Sequence, residues 1–163
     1  MTFDEFKVLS ACGTLEYVIF NNSTVTDKSD ESISLENLLL CLPNVTYISF
    51  DIIVPSVIAI EDVRNVTVSE LKLFEASHVS ETFNFQTFIE FMKTHPFVQC
   101  RLTYEQVLSV EYMQQLENYI DKIIYENSVE FPPPVIHFPG QTSQNALEEL
   151  HQRYGREQEL NFL

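Results

Sequence analysis

The chain has 163 residues and a formal charge of −15, and 45% of it is apolar, including 13 Phe and 7 Tyr. A chain of this length fits one domain and buries about 70% of its unfolded surface, so a packed core is expected and disorder is not. The acidic excess disfavours nucleic acid and anionic membrane as partners, because binding either needs Lys or Arg to displace counterions. Only 3 Gly are present, which argues against phosphate-cradling loops and against a turn-dense sandwich or barrel. Cys12, Cys41 and Cys100 have neither CxxC nor metal-ligand spacing, and each is expected to be a small buried hydrophobe. The N-terminus shows no secretory pattern, and the longest apolar run, Ile52–Ile60, is too short to span a bilayer. An intracellular setting follows, in which the four sequons at Asn21, Asn22, Asn44 and Asn65 are chance matches.

In chain order, the first apolar cluster is Phe3, Phe6, Val8 and Leu9, spaced for a short helix. It precedes Leu15-Glu-Tyr-Val18-Ile-Phe20, which fits an LxxLxL strand whose marked side chains enter a core. The Ser/Thr/Asp-rich stretch Asn21–Ser32 reads as a solvated connector. Ser34 then caps a helix through Leu35, Leu38, Leu39 and Leu40, which Pro43 stops, and a second strand follows at Val45-Thr-Tyr-Ile48-Ser-Phe50. The third unit is the shortest, with a turn of helix at Ile58–Val63 and a strand over Val68-Ser-Glu-Leu71-Lys-Leu73. Phe85, Phe88, Ile89 and Met92 form the next helical stripe, ended by Pro96, before Phe97-Val-Gln-Cys100-Arg-Leu102. The four strand starts are 30, 23 and 29 residues apart, close to the period of leucine-rich repeats. One LxxLxL match is weak in so apolar a chain; helix, stop and strand repeated in that order is stronger. Such a unit cannot bury its own face and stacks on its neighbours.

After the fourth strand, Tyr104–Glu126 is expected as the longest helix, with Val107, Leu108, Val110, Met113, Leu116, Ile120, Ile123 and Ile124 along one face. Pro132-Pro133-Pro134 imposes an extended entry into a fifth strand at 135–138, closed by Pro139-Gly140. The segment 141–163 is a polar cap built on a helix over Thr142–Arg156, with Ala146, Leu147, Leu150 and Tyr154 facing inward. The expected architecture is therefore α/β: a single solenoid-like repeat domain over 1–163, with short helices alternating with about five parallel strands.

The residues Leu38-Leu-Leu-Cys-Leu-Pro-Asn-Val-Thr-Tyr-Ile-Ser-Phe50, Phe83-Asn-Phe-Gln-Thr-Phe-Ile-Glu-Phe91 and Tyr119-Ile-Asp-Lys with Phe138-Pro-Gly140 carry a family resemblance. The chain resembles the divergent leucine-rich-repeat domains found C-terminal to the F-box in nematode proteins, including those with FTH-type domains. That resemblance implies recruitment of substrates to a ubiquitin ligase, with Skp1 and cullin engaged only if an F-box lies outside this chain. No F-box is recognisable here, and the first repeat begins too near Met1 to leave room for one. The positions of the usual Asn ladder hold Ser23, Ile53, Ala76 and Glu105.

In a parallel stack the x positions of LxxLxL face the open side of the sheet. One column then holds Tyr17, Tyr47, Glu70 and Gln99, and the next Ile19, Ser49, Lys72 and Arg101. Paired tyrosines beside two basic residues suit a peptide with an apolar anchor next to an acidic group, although cross-strand pairs also stabilise sheets without binding anything. No catalytic motif is present; His78, His95, His137 and His151 are dispersed, and Glu105, Glu111, Glu117 and Asp121 read as a solvated face. Neither metal nor cofactor is expected. Three functional classes follow: a non-catalytic protein-interaction module, which is favoured; an assembly subunit pairing through sheet edges or repeat ends; and, remotely, a small hydrolase using Cys12 or Cys41.

Overall fold

A computed structural model describes residues 1–51, 70–126 and 131–161, the last five by their backbone alone. The expected turn of helix at Ile58–Val63, and Val68 at the head of the third strand, lie outside the described residues. The described residues form an α/β architecture in which five helices accompany a five-stranded parallel sheet. In chain order the elements are α1 (Phe3–Ser10), β1 (Tyr17–Phe20), α2 (Leu35–Leu40), β2 (Tyr47–Phe50), β3 (Leu73–Ala76), α3 (Phe85–Thr94), β4 (Gln99–Thr103), α4 (Val110–Glu126), β5 (Val135–His137) and α5 (Gln144–Asn161). The strands lie side by side in the order in which the chain makes them, β1-β2-β3-β4-β5.

The helices begin where side chains can take their first free N–H groups. Thr2 and Glu5 form a reciprocal capping box on α1, Ser34 accepts from the Asn37 N–H on α2, and Asn84 accepts from the Thr87 N–H on α3. The stripe of α1 is narrower than its apolar content suggests: Phe6 is buried, but Val8 and Leu9 are exposed. On α2, Leu35, Leu38 and Leu39 are buried and Leu40 is exposed.

The core is one apolar layer between the sheet and the helices. Ile48, Phe74, Cys100, Leu102 and Ile136 point into it from the strands; Leu38, Phe88, Phe91, Leu116 and Ile120 meet them from the helices. Aromatic rings run through it from α1 to α3. Phe6 touches Phe20 at 5.9 Å, Phe20 stacks on Phe50 at 4.9 Å, Phe50 meets Phe74 at 5.8 Å, and Phe74 meets Phe88 at 5.1 Å. Ala76 stands opposite Phe50 in the register, so the next ring along comes from Phe74 instead.

Several expectations are corrected. The third strand is Leu73–Ala76, not Val68–Leu73; the LxxLxL frame that the sheet uses is Leu71, Phe74 and Ala76, all buried. In the fourth unit Phe97 is 76% exposed, and Val98 enters the core in its place. The helix expected over Tyr104–Glu126 starts at Val110, because the Tyr104 N–H donates to the His137 carbonyl at 2.8 Å and prolongs the β4–β5 ladder. Ser109 then accepts from the Tyr112 N–H. At 17 residues this helix is one shorter than α5. The thiol of Cys12 is exposed, whereas Cys41 is half-buried and Cys100 buried. The connector Asn21–Ser32 is pinned: Thr26 bridges both Thr2 and Ser32, and Val25 is buried.

Candidate interaction surface

Alternation along a strand sends every second side chain away from the core. Here the residues of that second face are exposed or half-buried. Its first column, read across the register, is Tyr17, Tyr47, Leu73 and Gln99; its second is Ile19, Ser49, Glu75, Arg101 and Val135. Six residues expected on this surface are there in the expected columns: Tyr17, Ile19, Tyr47, Ser49, Gln99 and Arg101. Glu70 and Lys72 are not. Both precede β3, and Leu73 and Glu75 occupy the positions assigned to them. The pairing of Lys72 with Arg101 therefore does not occur; the register neighbour of Arg101 is acidic Glu75.

The face changes character from one side to the other. Tyr17 and Ile19 on β1 are 71% and 63% exposed. The Tyr17 and Tyr47 rings lie 6.1 Å apart at 48°, and the Tyr47 hydroxyl donates to Glu75 Oε2 at 2.9 Å. That bond fixes the tyrosine and gives a carboxylate lying mid-sheet a donor. Arg101 is exposed, and no ion pair engages it among the described residues. His137 continues the third row beside Thr103. Burial holds the His151 imidazole below its ordinary pKa; its contact with the Pro134 carbonyl opposes this, and the charges of Arg101 and His137 add to it. The arrangement offers exposed Tyr17 and Ile19 at one end and, further across the sheet, an exposed guanidinium with no ion pair among the described residues.

Two other places gather chemistry. At the C-terminal ends of β2, β3 and β4, His78 stands between two carboxylates, with Nδ1 3.2 Å from Asp51 Oδ1 and Nε2 3.0 Å from Glu105 Oε2. His78 adopts φ 49°, a left-handed backbone uncommon outside glycine. Sequence reasoning missed this grouping, because its members are separated by a repeat each and meet only once the strands align. The arrangement joins the ends of three strands. Separately, Met92, Val98, Cys100, Tyr119, Ile123 and Phe131 line a cleft of about 330 Å³ between α3 and α4. Burial pushes the Cys100 thiol well above its ordinary pKa, which makes it a poor nucleophile there.

Among the described residues, no group of three or more His, Cys, Asp or Glu is placed to hold a metal ion. Among them, too, no helix is long and apolar enough to cross a membrane. No family model matches the chain, and no curated protein is significantly similar to it.

Proposed function

We propose that the chain is a non-catalytic protein-interaction module, a leucine-rich-repeat-like stack that holds a peptide or protein segment across the open face of its sheet. The observation that carries this reading is that exposed Tyr17 and Ile19, beside half-buried Tyr47, share one continuous parallel sheet with Arg101, which no ion pair engages among the described residues. Rigid aromatic side chains bury area at small entropic cost, and an unpaired guanidinium binds a carboxylate bidentately. The matching segment carries an aromatic or aliphatic anchor followed by an acidic residue. Strand order that follows the chain supports the stacked-repeat reading, since each unit then packs on the one before it. The resemblance to repeat domains beside F-boxes extends the proposal to substrate recognition for a ubiquitin ligase inside the cell.

Affinity capture with the wild-type chain, Tyr47→Ala and Arg101→Glu tests it. Both side chains lie outside the core, so both variants should fold with unchanged circular dichroism. The wild-type chain should retain a partner from which both variants are impaired, Arg101→Glu by roughly tenfold or more. Equal capture by all three would end this reading.

A further inference from the structure

We infer that the chain pairs with a second copy of itself through the free edge of β1, joining two sheets into one. This goes beyond the reading above, since it adds the main-chain groups at the rim of the sheet to the Tyr17 and Ile19 side chains on its face. In the β1–β2 ladder, the Glu16 carbonyl accepts from the Tyr47 N–H and the Phe20 carbonyl accepts from the Asp51 N–H. The even-numbered residues of β1 therefore spend their main-chain groups on β2, and Tyr17 and Ile19 aim theirs outward. No strand lies beyond β1 among the described residues.

Three observations identify the occupant as a second copy. The edge is self-complementary. Antiparallel pairing centred on Val18 sets Tyr17 opposite Ile19 of the other copy, and Ile19 opposite its Tyr17. Each such pair exchanges two N–H···O=C bonds, four in all. On one face the exposed Tyr17 and Ile19 side chains then form aromatic–aliphatic cross-strand pairs, and on the other the half-buried Val18 meets itself. The charges permit it: Tyr17–Phe20 carries none, and the flanking Glu16 falls opposite Phe20, so no like charges face each other in a chain of net charge −15. The two rims also differ. At the far rim, β5 has only three residues, is entered through Pro132-Pro133-Pro134, and has its Pro134 carbonyl in contact with His151. Prolines are one way in which sheets protect an edge from pairing, and β1, one residue longer than β5, has none. The first unit is also left open where the inner ones are closed: Leu15 and Val18 are half-buried, whereas Val45, Ile48, Leu71 and Phe74 are buried. The helix packed on β1 through Phe6 and Phe20 exposes Val8 and Leu9 as well.

Sedimentation equilibrium of the full chain, from about 1 to 100 µM, tests this. A monomer–dimer equilibrium is expected, with no larger species. Tyr17→Pro removes an outward N–H without touching the β1–β2 ladder, and Ile19→Lys places a charge on the rim; each should weaken the dimer by roughly tenfold or more. Arg101→Glu, away from the rim on β4, should leave the dimer unchanged, which separates this result from the peptide-binding test. Circular dichroism checks that each variant folds, and Ile19→Lys remains informative if Tyr17→Pro does not. A monomer throughout the range, or a dimer that both rim variants leave intact, overturns the inference.

Discussion

Thr87 carries a hydroxyl where the fold has no use for one. It is 3% exposed on α3, and its Oγ1 has no hydrogen-bond partner among the described residues. A buried hydroxyl without a partner loses its hydration and gains nothing in return. Thr87→Val keeps the shape and removes that loss, so unfolding in urea should show the variant more stable by about 1 kcal/mol. The buried tyrosines are handled differently. Tyr112 donates to the Phe83 carbonyl at 2.9 Å, and its oxygen lies 3.3 Å from the Tyr104 hydroxyl, so both rings enter the core with their polar ends engaged. Burial pushes both phenols above their ordinary pKa. The contrast explains why composition alone could not separate the two cases: a partner or its absence is a property of the fold.

At the scale of elements, the junction before α5 depends on one carboxylate. Glu117 on α4 accepts from the Thr142 N–H at 2.6 Å, the Thr142 hydroxyl at 3.0 Å and the Ser143 hydroxyl at 2.6 Å. Burial raises its pKa, and these hydrogen bonds outweigh burial, leaving it below the ordinary glutamate value of 4.5. A depressed folded-state pKa contributes stability that is present above the unfolded value and lost as pH falls through the folded one. Unfolding measured against pH should therefore show this contribution intact above about 4.5 and declining below it, and Glu117→Gln should flatten that part of the profile. In sequence Glu117 reads as part of a solvated face, because its hydrogen-bond donors lie 25 and 26 residues further along the chain. β1, β2 and β4 were legible from the sequence, since their apolar alternation is bounded by clear stops such as Pro43 and Pro96. β3 was not, because Val68–Ala76 supports two LxxLxL frames that share Leu71. They differ by three residues, an odd shift that exchanges the faces of the strand. That shift puts Glu70 and Lys72 in the expected surface where the sheet presents Leu73 and Glu75. The even spacing of the starts Val45, Leu71 and Phe97 was the available signal for the frame that forms.

For the whole molecule, the property that sequence alone supplies in full is charge. Twenty-four acidic residues against nine basic ones repel one another in the compact state more than in the unfolded chain. Added sodium chloride screens that repulsion, so the thermal midpoint should rise between low and physiological ionic strength; an unchanged or falling midpoint would show that the few ion pairs, such as Lys7–Asp4 at 2.9 Å, matter more. The α/β character and the parallel sheet were readable because the helix–stop–strand order repeats. The sequence did not show which residues meet at strand ends, as His78 does with Asp51 and Glu105. The unequal rims of the sheet also have a consequence for growth. A two-fold contact that consumes the single receptive margin of each copy leaves only guarded margins outward, so polymerisation has no next step. Association of that kind saturates at a fixed particle size; it shows neither lag nor seeding, and extra protein adds more pairs of the same length.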